Sequence, residues 1–200
     1  MKKVVIDLKQ GDVKIATEFA AARRDQKESM DKYEERGGVK AERAENDCYI
    51  GALAEIAIYR FLKRLGLKVK APDFSIHAVQ AKRHDPDIYD NQGNTFHCKG
   101  QPPKSKAEFG IGWVYNKNYS LFKNYTNKDY AVLSTVNPDD LEVEIYGVVK
   151  IEDIVKKDLL RPPDSTSPYI QASKVKLDWN EVKSLSWYER WGRLKKSVML

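Results

Sequence analysis

The sequence predicts a mixed α/β fold, and three features carry that prediction. Between Asp47 and Leu65, the apolar residues Ile50, Leu53, Ala54, Ile56, Ala57, Ile58, Phe61, Leu62 and Leu65 cover most of a helical circumference, as in a buried helix. Thr95-Phe96-His97-Cys98-Lys99 alternates with a strand's period of two. Tyr130 to Val136 and Val143 to Val149 are rich in β-branched residues and flank the turn Asn137-Pro138-Asp139-Asp140, so they read as a hairpin.

Two hundred residues suit one domain: an N-terminal helical extension (1–42), a core (43–154) and a C-terminal extension (155–200). With 35 Lys+Arg against 29 Asp+Glu, the net charge is +6, which favours an anionic partner. Cys48 and Cys98 are the only cysteines and form no CxxC, which argues against a zinc site or a disulfide framework and for a reducing, cytoplasmic setting. No apolar run reaches the roughly 20 residues of a membrane span. Met1 to Asp7 lacks the apolar core and small-residue cleavage site of a secretory signal. A soluble protein with no membrane partner is expected.

In chain order, residues 3–9 suggest an edge strand, and Val13 to Lys32 an amphipathic helix. Tyr33 to Ala44 is charged and interrupted by Gly37-Gly38, so a loop is expected, in which Arg36 and the glycines would meet a phosphate. Asn46 or Asp47 should cap the buried helix, which Gly66 ends. Glu55 lies inside that apolar run, where a carboxylate must pair, protonate, reach water or bind a metal. Its plainer reading is a pairing with Arg60 or Lys63. Leu67 to Ala71 alternates and should form the first sheet strand, ending at Pro72. Gln80 to Arg83 reads as a loop presenting Lys82 and Arg83 to nucleic acid.

The informative stretch is His84-Asp85-Pro86-Asp87-Ile88 followed by Phe96-His97-Cys98-Lys99-Gly100-Gln101, with Tyr89 to Thr95 as the turn between two strands. Period two puts His97, Lys99 and Gln101 on one face, and Phe96 and Cys98 on the other. Asp87, His97 and Lys99 therefore converge. A carboxylate, an imidazole and an ammonium at one point suit metal-assisted attack on a phosphodiester. Asp73, in a second Pro-Asp pair, competes less well because it lies far from the His97 strand; Asp85 is a neighbouring alternative ligand. His77 and His84 read as surface residues.

Pro86-Asp87, a turn and then His97-x-Lys99 resembles the motif of the PD-(D/E)xK nuclease superfamily, with His97 in place of the usual acid. Gly51-x-x-x-Glu55 looks like the first-helix acid of many such nucleases. The resemblance implies a restriction-endonuclease-like αβββαβ core, a central mixed sheet flanked by helices. It further implies Mg2+ or Mn2+ held by Glu55, Asp87, His97 and the Cys98 backbone carbonyl. Lys99 would position the attacking water, and Gln101 would steady the phosphate or the lysine. An imidazole ligand favours manganese at least as much as magnesium.

Past the motif, Pro102 to Lys106 reads as a loop carrying Lys104 and Lys106, and Phe109 to Tyr115 as a strand. From Trp113 to Lys128, aromatics (Trp113, Tyr115, Tyr119, Phe122, Tyr125) interleave with Lys117, Lys123 and Lys128. They would either stack on bases or form a short helix with Leu121, Phe122 and Tyr125 inward. Ile151 to Leu160 reads as a short helix with Glu152 and Asp153 at its start, and Arg161 to Pro168 as a loop. Trp179, Val182, Leu185, Trp187, Tyr188, Trp191 and Leu194 are too apolar for a solvated tail and should pack on the core or on a second copy in a homodimer.

These readings point to a metal-dependent DNA endonuclease. The alternative is a catalytically silent nuclease-like module that binds nucleic acid or a protein. A small-molecule enzyme is the poorest fit, because no Gly-rich phosphate loop follows a strand and no Ser-His-Asp or Cys-His arrangement has the right context.

Overall fold

A computed structural model describes residues 3–26, 41–75, 87–116, 120–163 and 174–185 of the chain. In order, the elements are β1 (Val4–Asp7), α1 (Gln10–Arg24), α2 (Ala41–Arg64), β2 (Ile88–Tyr89), β3 (Thr95–Gln101), α3 (Pro103–Phe109) and β4 (Gly112–Asn116). A 3-10 turn at Ser120–Phe122 leads to β5 (Asp129–Asn137), β6 (Glu142–Lys150), α4 (Ile151–Lys156), β7 (Leu160–Arg161), β8 (Lys174–Asp178) and α5 (Trp179–Val182), which a second 3-10 turn at Lys183–Leu185 follows.

The fold is mixed α/β, as the sequence predicts. A five-stranded sheet has the order β1-β6-β5-β3-β2, and a second sheet the order β4-β8-β7. In the larger sheet only β3 and β5 run parallel; the other pairs are antiparallel. Period-two alternation along β5 sends Tyr130 and Val132 to one side and Ala131 and Leu133 to the other. Both sides are buried, so the strand reads as a continuous apolar run. Against the first side pack α1 and α2, through Ala16, Leu53, Ala57, Phe61 and Leu62. Against the second lie α4, α5 and the smaller sheet, through Ile151, Ile154, Trp113, Tyr115, Leu177 and Trp179. The hairpin expected at 130–149 and the edge strand expected at 3–9 are both present, the latter as β1 on β6.

The central helix ends where the glycine predicts: Gly66 takes φ 81°, and the Leu67 amide returns to the Leu62 carbonyl at 3.1 Å. Its start differs from expectation. It begins at Ala41, so Asp47 lies inside the helix and not at its cap. Glu42, Arg43 and Glu45 look like loop residues by charge yet are good helix formers, and Glu45 ties the helix to Arg24 of α1 at 3.0 Å. The first helix occupies Gln10–Arg24, with Asp12 accepting the Lys9 amide proton at 2.7 Å and pairing with Arg60 at 2.5 Å.

Three further expectations are corrected. Leu67 to Ala71 is no full strand; it makes one isolated bridge, Val69 to Asp90, while Leu67 and Val69 pack on the core. The expected loop at 102–106 is α3, started by Pro103, whose fixed φ and missing N–H suit a first turn. The expected strand at 109–115 begins only at Gly112, after Phe109 has closed α3, and it belongs to the second sheet. Among the described residues, no helix is long and apolar enough to cross a membrane.

Candidate active site

The site grows from the β2–β3 hairpin. Asp90 fixes its turn: Oδ1 accepts from the amides of Gln92 (2.8 Å) and Asn94 (2.9 Å), and Oδ2 from the Asn94 side chain (2.7 Å). Gly93 supplies the left-handed residue, with φ 79°. The ladder pairs Ile88 with Phe96 and Tyr89 with Thr95. Asp87 follows on the outer side, and its Oδ2 accepts the Cys98 amide proton at 2.6 Å. On one edge of an extended strand a residue's N–H and C=O point the same way, so the Cys98 carbonyl opens toward the Asp87 side as well.

The facing of β3 agrees with the alternation. Phe96 and Cys98 pack with α2, whereas Lys99 and Gln101 turn to the second sheet, where Lys99 Nζ lies 5.0 Å from the centre of the Tyr115 ring. Helix α2 sits hard on β3 at Gly100: a Cβ there would lie 2.9 Å from Ala54 Cβ and 3.3 Å from the Ile50 carbonyl oxygen. That contact brings the next residue, Glu55, close enough to act electrostatically on both Cys98 and Lys99. Arg60, one candidate partner for Glu55, is taken by Asp12 and the Asp7 carbonyl, and Lys63 lies over Tyr59.

Burial dominates the electrostatics. It raises the Asp87 carboxyl above its ordinary value, against the Cys98 hydrogen bond and the charges of His97 and Lys99. It lowers Lys99, against Asp87, Cys98, Glu55 and Asp47. It also lowers His97, against Asp87 and Asp129, so the imidazole stays neutral near pH 7. The Cys98 thiol is pushed well up by burial and by Asp87 and Glu55, which keeps it protonated.

Asp87, His97, Cys98, Lys99 and Glu55 are thus brought into one electrostatic neighbourhood. Gln101 is not part of it: its amide donates to the Gly110 carbonyl (2.8 Å) and accepts from the Gly112 amide (3.3 Å), bracing the turn into β4. Among the expected nucleic-acid contacts, Lys104 and Lys123 are exposed. Lys106 is instead bound to Glu144 at 2.8 Å and lies over Tyr146. Trp113 and Tyr115 are buried in the second core, and Leu121, Phe122 and Tyr125 point inward, so the packing reading of that segment holds. Trp179, Val182 and Leu185 pack on the same core. Arg36, Lys82, Arg83, Lys117, Asp85, His77, His84, Tyr119, Trp187 and Trp191 lie outside the described residues.

Three residues near the site escape a sequence reading. Asp47 is raised by burial, against Arg43, Lys174 and Lys99, which places it beside the β8 lysine and the motif lysine together. Lys174 donates to the Asn116 side chain across the smaller sheet. Asp129, at the start of β5, comes next to His97 because β3 and β5 run parallel with Thr95 opposite Asp129. The pattern Thr126-x-x-Asp129 is a local turn signal, but the pairing that carries it to His97 is not local.

No protein-family model, curated protein or solved structure matches the chain. Among the described residues no three His, Cys, Asp or Glu side chains gather as a metal shell by themselves. Magnesium is held characteristically by one or two carboxylates together with waters and substrate phosphate. Half-buried Asp87, the Cys98 carbonyl and nearby Glu55 fit such a donor set; neutral His97 adds a nitrogen suited to manganese.

Proposed function

We propose that this protein is a metal-dependent DNA nuclease that hydrolyses phosphodiester bonds, acting as an endonuclease with Mg2+ or Mn2+. The observation that carries the reading is the half-buried Asp87 carboxylate, held at 2.6 Å by the Cys98 amide, with Lys99 next after Cys98 on the same strand. The similarity of Pro86-Asp87 and His97-x-Lys99 to the PD-(D/E)xK motif supports it, as does the net charge of +6 for a polyanionic substrate.

When bound, a divalent cation supplies charge to a phosphate and acidifies a water. Asp87, Glu55 and the Cys98 carbonyl would hold it, with His97 alongside. The charges of Asp87 and Glu55 act on Lys99, and burial makes its ammonium easier to deprotonate. It takes the proton of the attacking water or holds charge developing on the phosphate oxygens. The water oxygen would then bond to phosphorus as the bond to the leaving sugar oxygen breaks; the water's proton goes to Lys99 or to solvent, and solvent water protonates the leaving oxygen.

The test is nicking of supercoiled plasmid by the wild type, Asp87→Ala and Lys99→Ala. Loss of cleavage in both variants is expected; two variants that cut as well as the parent would refute the site. A second reading, a binding module without catalysis, is favoured by His97 standing where the motif has an acid. Calorimetry separates the two: no divalent binding between micromolar and millimolar concentrations would leave the module.

A further inference from the structure

His97 and Asp129 face each other on the side of the sheet turned toward the second core. They are diagonal neighbours across the parallel β3–β5 pair, since Thr95 is opposite Asp129 and His97 opposite Ala131. Both are largely buried, with side-chain exposures of 7% and 13%. The Asp129 carboxylate is anchored: Oδ1 accepts from the Thr95 hydroxyl, and Oδ2 from the Thr126 amide (2.5 Å) and hydroxyl (2.9 Å). His97 Nε2 lies 3.8 Å from Asp129 Oδ1 and has no hydrogen-bond partner among the described residues.

A buried ring nitrogen without a partner is costly. Here a fixed carboxylate lies about 0.6 Å beyond the usual hydrogen-bond range. Because that carboxylate accepts protons and donates none, the nitrogen facing it is favoured as the N–H tautomer. The other nitrogen, Nδ1, then carries the lone pair. A histidine that binds a metal through one nitrogen commonly gives its other N–H to a carboxylate, which fixes the ring and strengthens it as a ligand. Asp87 is the charge that acts most strongly on His97, ahead of Asp129, so the imidazole lies under the influence of two carboxylates.

We infer that Asp129 is a positioning residue for His97, holding its Nε2–H so that Nδ1 is presented as the nitrogen ligand for a divalent cation at the Asp87 site. This rests on the nuclease reading for the identity of that site. It accounts for the departure at His97: with a carboxylate behind it, an imidazole serves where the motif otherwise has an acid.

The test uses the full chain labelled with 15N-histidine, the His97 signal being assigned by its loss in His97→Gln. Long-range proton–nitrogen correlation should give the Nε2–H tautomer in the wild type and a mixture in Asp129→Asn. In calorimetry with MnCl2, Asp129→Asn should weaken binding by about 10- to 100-fold. Thr126→Ala, which loosens the same turn but keeps the carboxylate, should change it less than about threefold. In a His97→Glu background the Asp129→Asn effect should vanish. An Nδ1–H tautomer in the wild type would overturn the assignment whether or not the variants fold. So would unchanged manganese affinity in Asp129→Asn, or an equal loss in the His97→Glu background. Asp87→Ala in parallel separates the two ideas. If it binds manganese as the parent does, the site reading and this assignment both fail. If it loses binding while Asp129→Asn does not, only Asp129 is misassigned.

Discussion

Asp87 accepts the Cys98 amide proton at 2.6 Å, one step past the last ladder pair of the hairpin. The side chain thereby takes the place of a missing strand residue, at the cost of partly desolvating its charge. Ionisation there is unfavourable, since burial raises the carboxyl. Asp87→Asn keeps an oxygen for the Cys98 amide and removes the partly desolvated charge. It should raise stability at pH 7 without divalent ions by about 1 kcal/mol, or roughly 2–4 °C in melting temperature, while abolishing cleavage. The sign follows from the raised pKa: the wild-type disadvantage exists while the carboxylate is ionised and fades as pH falls and the proton returns. Melting curves of both proteins from pH 7 to pH 4 check this. A variant less stable than the parent at pH 7 would mean that the charge is better compensated than its burial indicates.

Glu144 behaves in the opposite way. On β6 it joins Lys3, Lys106 of α3, Thr135 of β5 and Tyr146, and its pKa falls from 4.5 to about 2. Burial opposes that fall, and the hydrogen bonds from Lys106, Lys3 and Tyr146 outweigh it. A depressed carboxyl contributes stability above its unfolded pKa and loses it as pH falls through the folded value. Glu144→Gln should therefore cost about 2 kcal/mol at pH 7, as for hydrogen bonds to a charged group, and the difference should close between about pH 4.5 and 2. Urea titrations at several pH values measure it. A pH-independent difference would show that packing, not charge, is lost.

Much of this arrangement is legible in the sequence because it is local. The turn at Asp90 to Asn94, the alternation from Phe96 to Gln101 and the apolar circumference of α2 each follow from periodicity and turn chemistry within a few residues. What stays hidden is decided by pairing between distant segments. Nothing near Asp129 announces that β5 will run parallel to β3 and set its carboxylate beside His97. Nothing near Gln101 announces that its amide will brace Gly110 and Gly112. Asp47 was legible as a polar residue at a helix start; that the helix begins six residues earlier turns it from a cap into a charge beside Lys99 and Lys174.

Gly100 shows how tightly the helix and the motif strand are joined. A methyl group there would meet Ala54 Cβ at 2.9 Å, Val136 Cγ2 at 3.0 Å and the Ile50 carbonyl oxygen at 3.3 Å. The carbonyl belongs to the helix backbone and cannot swing aside, so Gly100→Ala must push α2 off β3. Overpacking of this kind costs about 1–3 kcal/mol. It also moves Glu55 away from Cys98 and Lys99, so cleavage should fall even at temperatures where the variant stays folded. Chemical denaturation and plasmid nicking at 15 °C test the two effects. Full activity with unchanged stability would mean that the contact at Gly100 is looser than its distances.

Lys99 offers the cleanest separation of chemistry from structure. Its half-buried side chain lies beside Tyr115, with Nζ 5.0 Å from the ring centre, and the charges of Asp87, Glu55 and Asp47 act on it. Burial lowers its pKa, so the folded chain gains little from keeping it charged. Methionine has a similar unbranched stem and a polarisable sulfur that packs well on an aromatic ring. Lys99→Met should therefore fold with a melting temperature within a few degrees of the parent, by volume conservation. It carries neither a proton acceptor nor a positive charge for the phosphate, so single-turnover nicking should drop by about 10²–10⁴-fold, the contribution of a positioned acid–base group. Lys99→Arg keeps the charge, but its planar fork and higher pKa cannot take the proton from a water. It should rescue DNA retention in a gel-shift assay and not the rate. Cleavage by Lys99→Met within about threefold of wild type would remove Lys99 from the chemistry and leave it a packing residue under Tyr115.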